Sequence, residues 1–249
     1  MREIVVFTAL RVEMSPLKAL LSRSKQVSRK IPILSGQMEG KKVILVWSGV
    51  GKERALEAAE FIYSKYSPNG GLSTGFCGGL VPGLRASDVV VSSWVVSDAT
   101  ESGWDSKRLF LGDQVFLLQR VLDGKGIRAH MGGFVCVCRP VVSPNERNAL
   151  AQRTGAMIAE METFHLGAFF ITRKVPFVGM RTVLDGLEDR IPLLESITEM
   201  VEWSDGLNVF WHLISHRGGL SDLWRLYGNG RRAQVALGKS VAAAVRAWP

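Results

Sequence analysis

The chain has 249 residues, 47% hydrophobic and 22% charged, which excludes a disordered chain and supplies enough apolar side chain for a sizeable core. No apolar run reaches the roughly 18 residues of a membrane span, and Met1-Arg2-Glu3 before Ile4-Val5-Val6-Phe7 is no secretory leader, so the expected compartment is the cytoplasm. Three cysteines, Cys77, Cys136 and Cys138, give neither a disulfide framework nor a metal-ligand spacing, and the net charge of +8 is spread too widely for a nucleic-acid-binding motif.

Ile4-Val5-Val6-Phe7 reads as a strand that runs through Thr8-Ala9-Leu10-Arg11-Val12-Glu13 into a helix ending near residue 22. Glu13 therefore lies in a loop at the carboxyl end of a strand, where open α/β sheets bind ligands. A carboxylate that favours the dipole of a helix start explains it equally well. Residues 33–47 read as two strands joined at Glu39-Gly40. Ser48-Gly49-Val50-Gly51-Lys52 then leads into a helix over 53–66, and its glycines let backbone amides approach an anion, although the spacing matches neither a dinucleotide fingerprint nor a Walker loop. A strand and loop follow over 72–80, in which Gly75, Gly78 and Gly79 permit close approach of a ligand or a neighbouring strand. Residues 84–91 form a turn and a further strand, 98–111 are polar and irregular, 114–122 read as a helix and 134–138 as a strand. Ser143 is placed to cap a helix from Pro144 to about Arg153.

The stretch Ala159-Glu160-Met161-Glu162-Thr163 sits between a short apolar strand and a mostly apolar helix over 164–171. Carboxylates at such a junction are costly to bury unless something binds them. On a strand of period two, Glu160 and Glu162 would instead share one solvated face. The strand over 176–184 ends at Asp185, and from residue 193 the chain reads as helical, with breaks at Arg217-Gly218-Gly219 and Gly228-Asn229-Gly230. Alternation of strands and helices predicts a three-layer α/β fold, a single domain over 1–249 whose residues 193–249 form a helical extension. Glu13, Glu162 and Asp185 each follow an apolar strand and share a site if those strands meet at one edge. His130, His165, His212 and His216 are too scattered for a metal site, although His212 and His216 share a helix face, and no metal is expected.

Four blocks carry a resemblance: Thr8-Ala9-Leu10-Arg11-Val12-Glu13; Ser48-Gly49-Val50-Gly51-Lys52; Ser73-Thr74-Gly75-Phe76-Cys77-Gly78-Gly79-Leu80; and Glu160-Met161-Glu162 with Arg181-Thr182-Val183-Leu184-Asp185. In order and spacing the chain resembles the purine nucleoside phosphorylase and nucleosidase family, especially nucleosidases of methylthioadenosine and adenosylhomocysteine. The resemblance implies a mixed central β-sheet flanked by helices, a homodimer or higher homo-oligomer, a small purine nucleoside as substrate, and cleavage of its N-glycosidic bond without a cofactor. Asp185 would hydrogen-bond the purine and protonate N7, for which a raised pKa suits it; Glu162 would bind the ribose hydroxyls with Met161 against the sugar; Glu13 would activate water; and Glu160 would support them. Phe76, Cys77, Gly78 and Arg139 fall at positions that line base and sugar. Phe76 stands where these nucleosidases have a small polar residue, Leu184 where they have Ser, and Arg139-Pro140 where they offer a stacking aromatic. Phosphate as co-substrate is the alternative to water, with Arg11 or Lys52 to hold it, and a non-catalytic nucleoside-binding protein is the alternative from another class. The segments Asp205-Gly206-Leu207-Asn208-Val209 and Leu213-Ile214-Ser215-His216-Arg217-Gly218-Gly219-Leu220 are similar to the tail of the hopanoid-associated branch, linked to removal of adenine from adenosylhopane. In that reading the basic C-terminal helices, with Trp211, Trp224, Leu220, Leu223 and Leu226, cover an apolar entrance or touch a membrane surface; in the plain one their apolar stripe packs on the domain.

Overall fold

The computed structural model describes residues 3–28, 30–98, 108–111, 114–141, 143–187 and 219–249. Strands β1 (Glu3–Thr8), β2 (Ser22–Ser28), β3 (Ile33–Met38), β4 (Lys41–Trp47), β5 (Gly70–Gly79), β6 (Val89–Ser97), β7 (Leu109–Phe110), β8 (Ala129–Cys136), β9 (Ile158–Glu160) and β10 (Phe177–Asp185) form one 10-stranded sheet. Helices α1 (Arg11–Leu20), α2 (Lys52–Lys65), α3 (Gln114–Asp123), α4 (Pro144–Thr154), α5 (Thr163–Ile171) and α6 (Gly219–Ala247) flank it. The sheet is mixed. Its order is β10-β6-β8-β9-β5-β1-β4-β3-β2, and β10 also pairs with β5, so β5, β10, β6, β8 and β9 close on themselves while β1, β4, β3 and β2 extend as a wing. The closure brings β5 and β10 side by side in parallel, with Asp185 opposite Gly78, and sets β9 against β5 through Gly78 and Ala159.

Alternation along β1 decides which helix packs where, because successive side chains leave a strand on opposite faces. Val5 and Phe7 pack with Ala58 and Ile62 of α2 and Phe170 of α5, whereas Ile4 and Val6 pack with Leu17 of α1, Leu118 of α3 and Leu237 of α6. Helices therefore cover both faces of the sheet, and the expected three layers are present. The hairpin between β3 and β4 turns at Glu39 and Gly40, both at positive φ (50° and 76°), as a tight two-residue connection requires.

Several elements differ from expectation, among them β6, which runs on to Ser97 past the expected end at Val91, and β7, a two-residue strand in the stretch read as irregular. Helix α1 stops at Leu20, and the chain enters β2, a polar edge strand whose sequence Ser22-Arg23-Ser24-Lys25-Gln26-Val27-Ser28 offers no apolar alternation to betray it. Strand β8 begins at Ala129, five residues before the apolar run, because Gly132 and Gly133 leave room for Met157 and the ring of Trp94. Gly228-Asn229-Gly230 does not break the C-terminal helix, which runs through it as part of α6. Two helical glycines cost about 1 kcal/mol each relative to alanine. Opposing that cost, Asn229 is buried and accepts a hydrogen bond from Arg232 Nη2 at 2.7 Å, and Ala233, Leu237, Val241 and Ala244 bury the stripe that follows against α1, α3 and the sheet. The other expected break lies partly outside the described residues, with Gly219 opening α6, as do the irregular segment over most of 98–111, His212, His216, Trp211 and the segments over 205–218. Among the described residues no helix is long and apolar enough to cross a membrane.

Leu237 is fully buried between α6 and the sheet. Leu237→Ala is expected to lower the unfolding free energy by about 2–5 kcal/mol in urea titrations; an unchanged midpoint would show that α6 contributes nothing to the core.

Candidate active site

The site is built around the last residues of β5. Glu13, in the first turn of α1, is buried, and its carboxylate accepts three backbone N–H groups: Ala9 at 3.0 Å and Leu10 at 2.9 Å on Oε2, and Phe76 at 2.8 Å on Oε1. The first two satisfy amides that a helix start leaves unpaired. The third ties α1 to β5. Gly75 makes this approach available: its φ is 152°, and a Cβ there would lie 2.5 Å from Glu13 Oε1. Burial raises the pKa of Glu13, against the lowering effect of the Phe76 amide, Arg181 and the remaining amides. The helix-start reading of Glu13 is thus realised in geometry, and the same carboxylate lies near Arg181 and Glu162.

Glu160 and Glu162 are buried, at 5% and 6% exposure, which overturns the solvated-face alternative. Strand β9 ends at Glu160, whose Oε2 accepts the N–H groups of Glu162 (3.0 Å) and Thr163 (2.8 Å), the Thr163 hydroxyl (2.7 Å) and Arg181 Nη2 (2.6 Å). This one oxygen fixes the start of α5 and anchors Arg181. Glu162 then accepts the N–H of Gly51 on Oε1 at 3.0 Å and faces Arg181 Nη2 at 3.4 Å through Oε2. The loop between β4 and α2 is thereby attached to the acidic stretch. Burial, followed by the negative charge of Glu160, pushes the pKa of Glu162 up to about 8. Burial works against the charge of Arg181, but Glu160, Glu162 and Glu13 together hold its pKa above the ordinary value.

Asp185 ends β10 and forms an ion pair with Arg147 Nη2, from the first turns of α4. Arg147 is itself buried, and it also donates to the carbonyls of Val141 (2.8 Å) and Gly186 (2.9 Å). Between these charges lies Cys77, buried in the core, its thiol kept protonated by burial. Gly78 lies beside the Arg147 guanidinium. Met161 and Arg139 line a cleft of about 780 Å3, with walls from the segments that follow β1, β4, β6, β8 and β9, including Trp47, Gly51, Cys138 and His165. Arg139 is exposed there and meets Glu146 at 2.5 Å; Phe76 is partly buried and packs its ring towards the core shared by α1 and α6. Ser143 precedes α4 as expected, without a side-chain cap bond.

Two residues that hold the acids were not assigned roles from sequence. A charge in the middle of the apolar strand Phe177-Val178-Gly179-Met180-Arg181-Thr182-Val183 is the signal that marks Arg181. Arg147 lies in a helix rich in polar residues and gives no such signal.

Fold and site together define an α/β enzyme whose cleft abuts a set of buried carboxylates. A sequence model of the Phosphorylase superfamily matches residues 3–204, and the chain belongs to that superfamily, as an enzyme of the nucleosidase and nucleoside phosphorylase class. A 5'-methylthioadenosine/S-adenosylhomocysteine nucleosidase of Shewanella loihica is 29% identical over 205 residues, covering 77% of this chain and 89% of the relative. The nucleosidase of that description from Neisseria meningitidis, solved in complex with methylthio-immucillin-A, superposes with a TM-score of 0.77 at 21% identity over 99% of each chain. The futalosine hydrolase of Helicobacter pylori gives 0.76 at 16% identity over 98% of this chain and 97% of its own. At these identities the two solved structures speak for the fold.

The raised pKa of Glu162 has a consequence for stability. Between an unfolded value near 4.5 and the folded value of about 8, the folded chain binds more protons than the unfolded one. This contribution is complete below the unfolded value and is lost as pH rises to the folded one, by up to about 1.4 kcal/mol per pH unit. Glu162→Gln removes the titration, so urea unfolding followed across that window is expected to show a flatter pH dependence than in the wild type. Parallel curves would refute the assignment.

Proposed function

We propose that the chain is a nucleosidase that cleaves the N-glycosidic bond of a 5'-substituted adenosine and releases adenine. The observation that carries this reading is the gathering of Glu13, Glu162 and Asp185, from three separate strand ends, around the end of β5, with Glu13 and Glu162 bonded to backbone N–H groups of Ala9, Leu10 and Gly51 that line the cleft. As the C1'–N9 bond breaks, its electron pair moves into the purine while the sugar acquires cationic character, so the site must supply a proton on one side and negative charge on the other. Asp185 exchanges its contact with Arg147 for the purine and delivers a proton to N7. Glu162, held from behind by Arg181, accepts the ribose hydroxyls, and Met161 packs on the sugar. Glu13 takes a proton from the attacking water as the new C1'–O bond forms. Burial raises the pKa of Glu13, so its ionised form is a stronger base than that of an ordinary carboxylate.

The nucleosidase relatives support adenosine carrying a 5'-thio substituent as the substrate class. The C-terminal segments similar to the hopanoid-associated branch extend the proposal to an adenosylhopane-like nucleoside, with the basic helices near a lipid surface. A homodimer or larger homo-oligomer belongs to the same reading.

Adenine release from methylthioadenosine and adenosylhomocysteine, without phosphate, is the test. Asp185→Asn and Glu13→Gln are each expected to lower kcat by a factor of about 100 or more while circular dichroism stays that of the wild type. Wild-type turnover in folded Asp185→Asn would remove the acid from the mechanism.

A further inference from the structure

The cleft has a second chemical character that the acid cluster does not explain. Its lining includes Arg11, Lys52, Arg54 and Arg139 against the acids Glu53 and Asp98. Asp98 is paired with Arg153 at 2.5 Å and Arg139 with Glu146 at 2.5 Å. Among the described residues, Arg11, Lys52 and Arg54 have no carboxylate within ion-pair distance. Arg11 and Arg54 are nevertheless held in place. The Arg11 guanidinium lies 4.4 Å from the centre of the Trp47 ring, and that ring is pinned by a hydrogen bond from its Nε1 to the Ala9 carbonyl at 2.8 Å. Arg54 folds back across Gly49, where a Cβ would lie 2.7 Å from Arg54 Cδ and 3.3 Å from its Nη1; Gly49 has φ of 86°. Free arginines on a convex surface extend into water. Here two of them rest on an aromatic face and on a bare glycine, both along the wall of a concave cleft, with their donors unspent on protein carboxylates.

We propose that Arg11 and Arg54 form a subsite for an anionic oxygen group, carboxylate or phosphate, in the cleft. The proposal rests on the reading of that cleft as the nucleoside site and adds that an anion accompanies the nucleoside there, either on its 5' substituent or as free phosphate. A guanidinium presents parallel donors that match two oxygens of such a group. Fixing both side chains beforehand lowers the ordering cost of binding.

The test compares wild type with Arg11→Gln/Arg54→Gln, and with Arg11→Lys/Arg54→Lys, which keeps the charge without the fork. Calorimetric titrations use methylthioadenosine, its 5'-carboxymethylthio analogue and inorganic phosphate, and adenine release is followed for both nucleosides with and without phosphate. A substituent-borne anion predicts that wild type binds the carboxylate analogue about tenfold more tightly than methylthioadenosine, that added salt narrows the gap, and that the Gln variant abolishes it while the Lys variant keeps part. Free phosphate as the source predicts binding of phosphate to wild type, lost in the Gln variant, and adenine release from methylthioadenosine that rises with phosphate. Equal affinity for both nucleosides with no phosphate binding overturns the subsite, as does a Gln variant that weakens both nucleosides equally. A charge preference that persists in binding while neither nucleoside is cleaved overturns the nucleosidase reading and leaves the subsite standing.

Discussion

The contact on which the site depends is that of Arg181 with Glu160. It joins β10 to the junction of β9 and α5, and it places the one buried cation of this cluster among three carboxylates. One guanidinium cannot balance Glu160, Glu162 and Glu13 together. Burial in a dry interior raises the pKa of Glu13 and of Glu162 above that of an ordinary carboxyl group, and at Glu162 the charge of Glu160 adds to it. Glu160 is the member best supplied with donors, taking two backbone N–H groups and a hydroxyl in addition to Arg181. It therefore serves as the fixed point of the cluster, holding the start of α5 and Arg181 in place. A buried ion pair contributes little net stability after desolvation. Its effect here is to fix the position and the charge of its neighbours.

Glycine at specific positions makes that cluster fit. Gly75 lets the Glu13 carboxylate lie against β5, and at Gly179 a Cβ would lie 2.6 Å from Thr163 Cγ2, on the hydroxyl residue that completes the Glu160 cap. Closure of the sheet through the β5 and β10 pairing then carries Asp185 to the same strand end, with Arg147 reaching it from α4. The distances in sequence are large and the spatial ones short, so the site is a product of topology.

This also explains what was legible from sequence. Apolar strands announce themselves, so β1, β4 and β10, with the acids at the ends of β1 and β10, could be read directly, as could the turn at Glu39-Gly40, whereas only the first three residues of β6 were legible. Elements stabilised by something other than their own pattern could not. Strand β2 is polar because only one of its edges is paired; β8 begins on glycines that yield to Met157 and Trp94; α6 continues across two glycines because of the apolar stripe beyond them. Convergence of the acids was an inference from motif order, since no local pattern states that β5 pairs with β10. The pairing of Asp185 with Arg147 was illegible for the same reason, being made between α4 and the end of β10.

The departures of this chain from the adenosine-type pattern are less disruptive than their residue types imply. Phe76 supplies Glu13 with a backbone N–H, which any residue except proline offers, while its ring packs towards the core. The position can change its side chain without disturbing the carboxylate. Glu162 is likewise positioned by the amide of Gly51. The interior of the site is thus fixed by backbone donors and two buried arginines, whereas the cleft wall carries exposed side chains, among them Arg11 and Arg54 from the first turns of α1 and α2 and Arg139 from the segment after β8. Such a division leaves the buried acids insulated from changes at the wall. In the proposed nucleosidase, discrimination between 5' substituents falls to the wall, where a substitution alters what is bound while the buried acids keep their backbone and arginine partners.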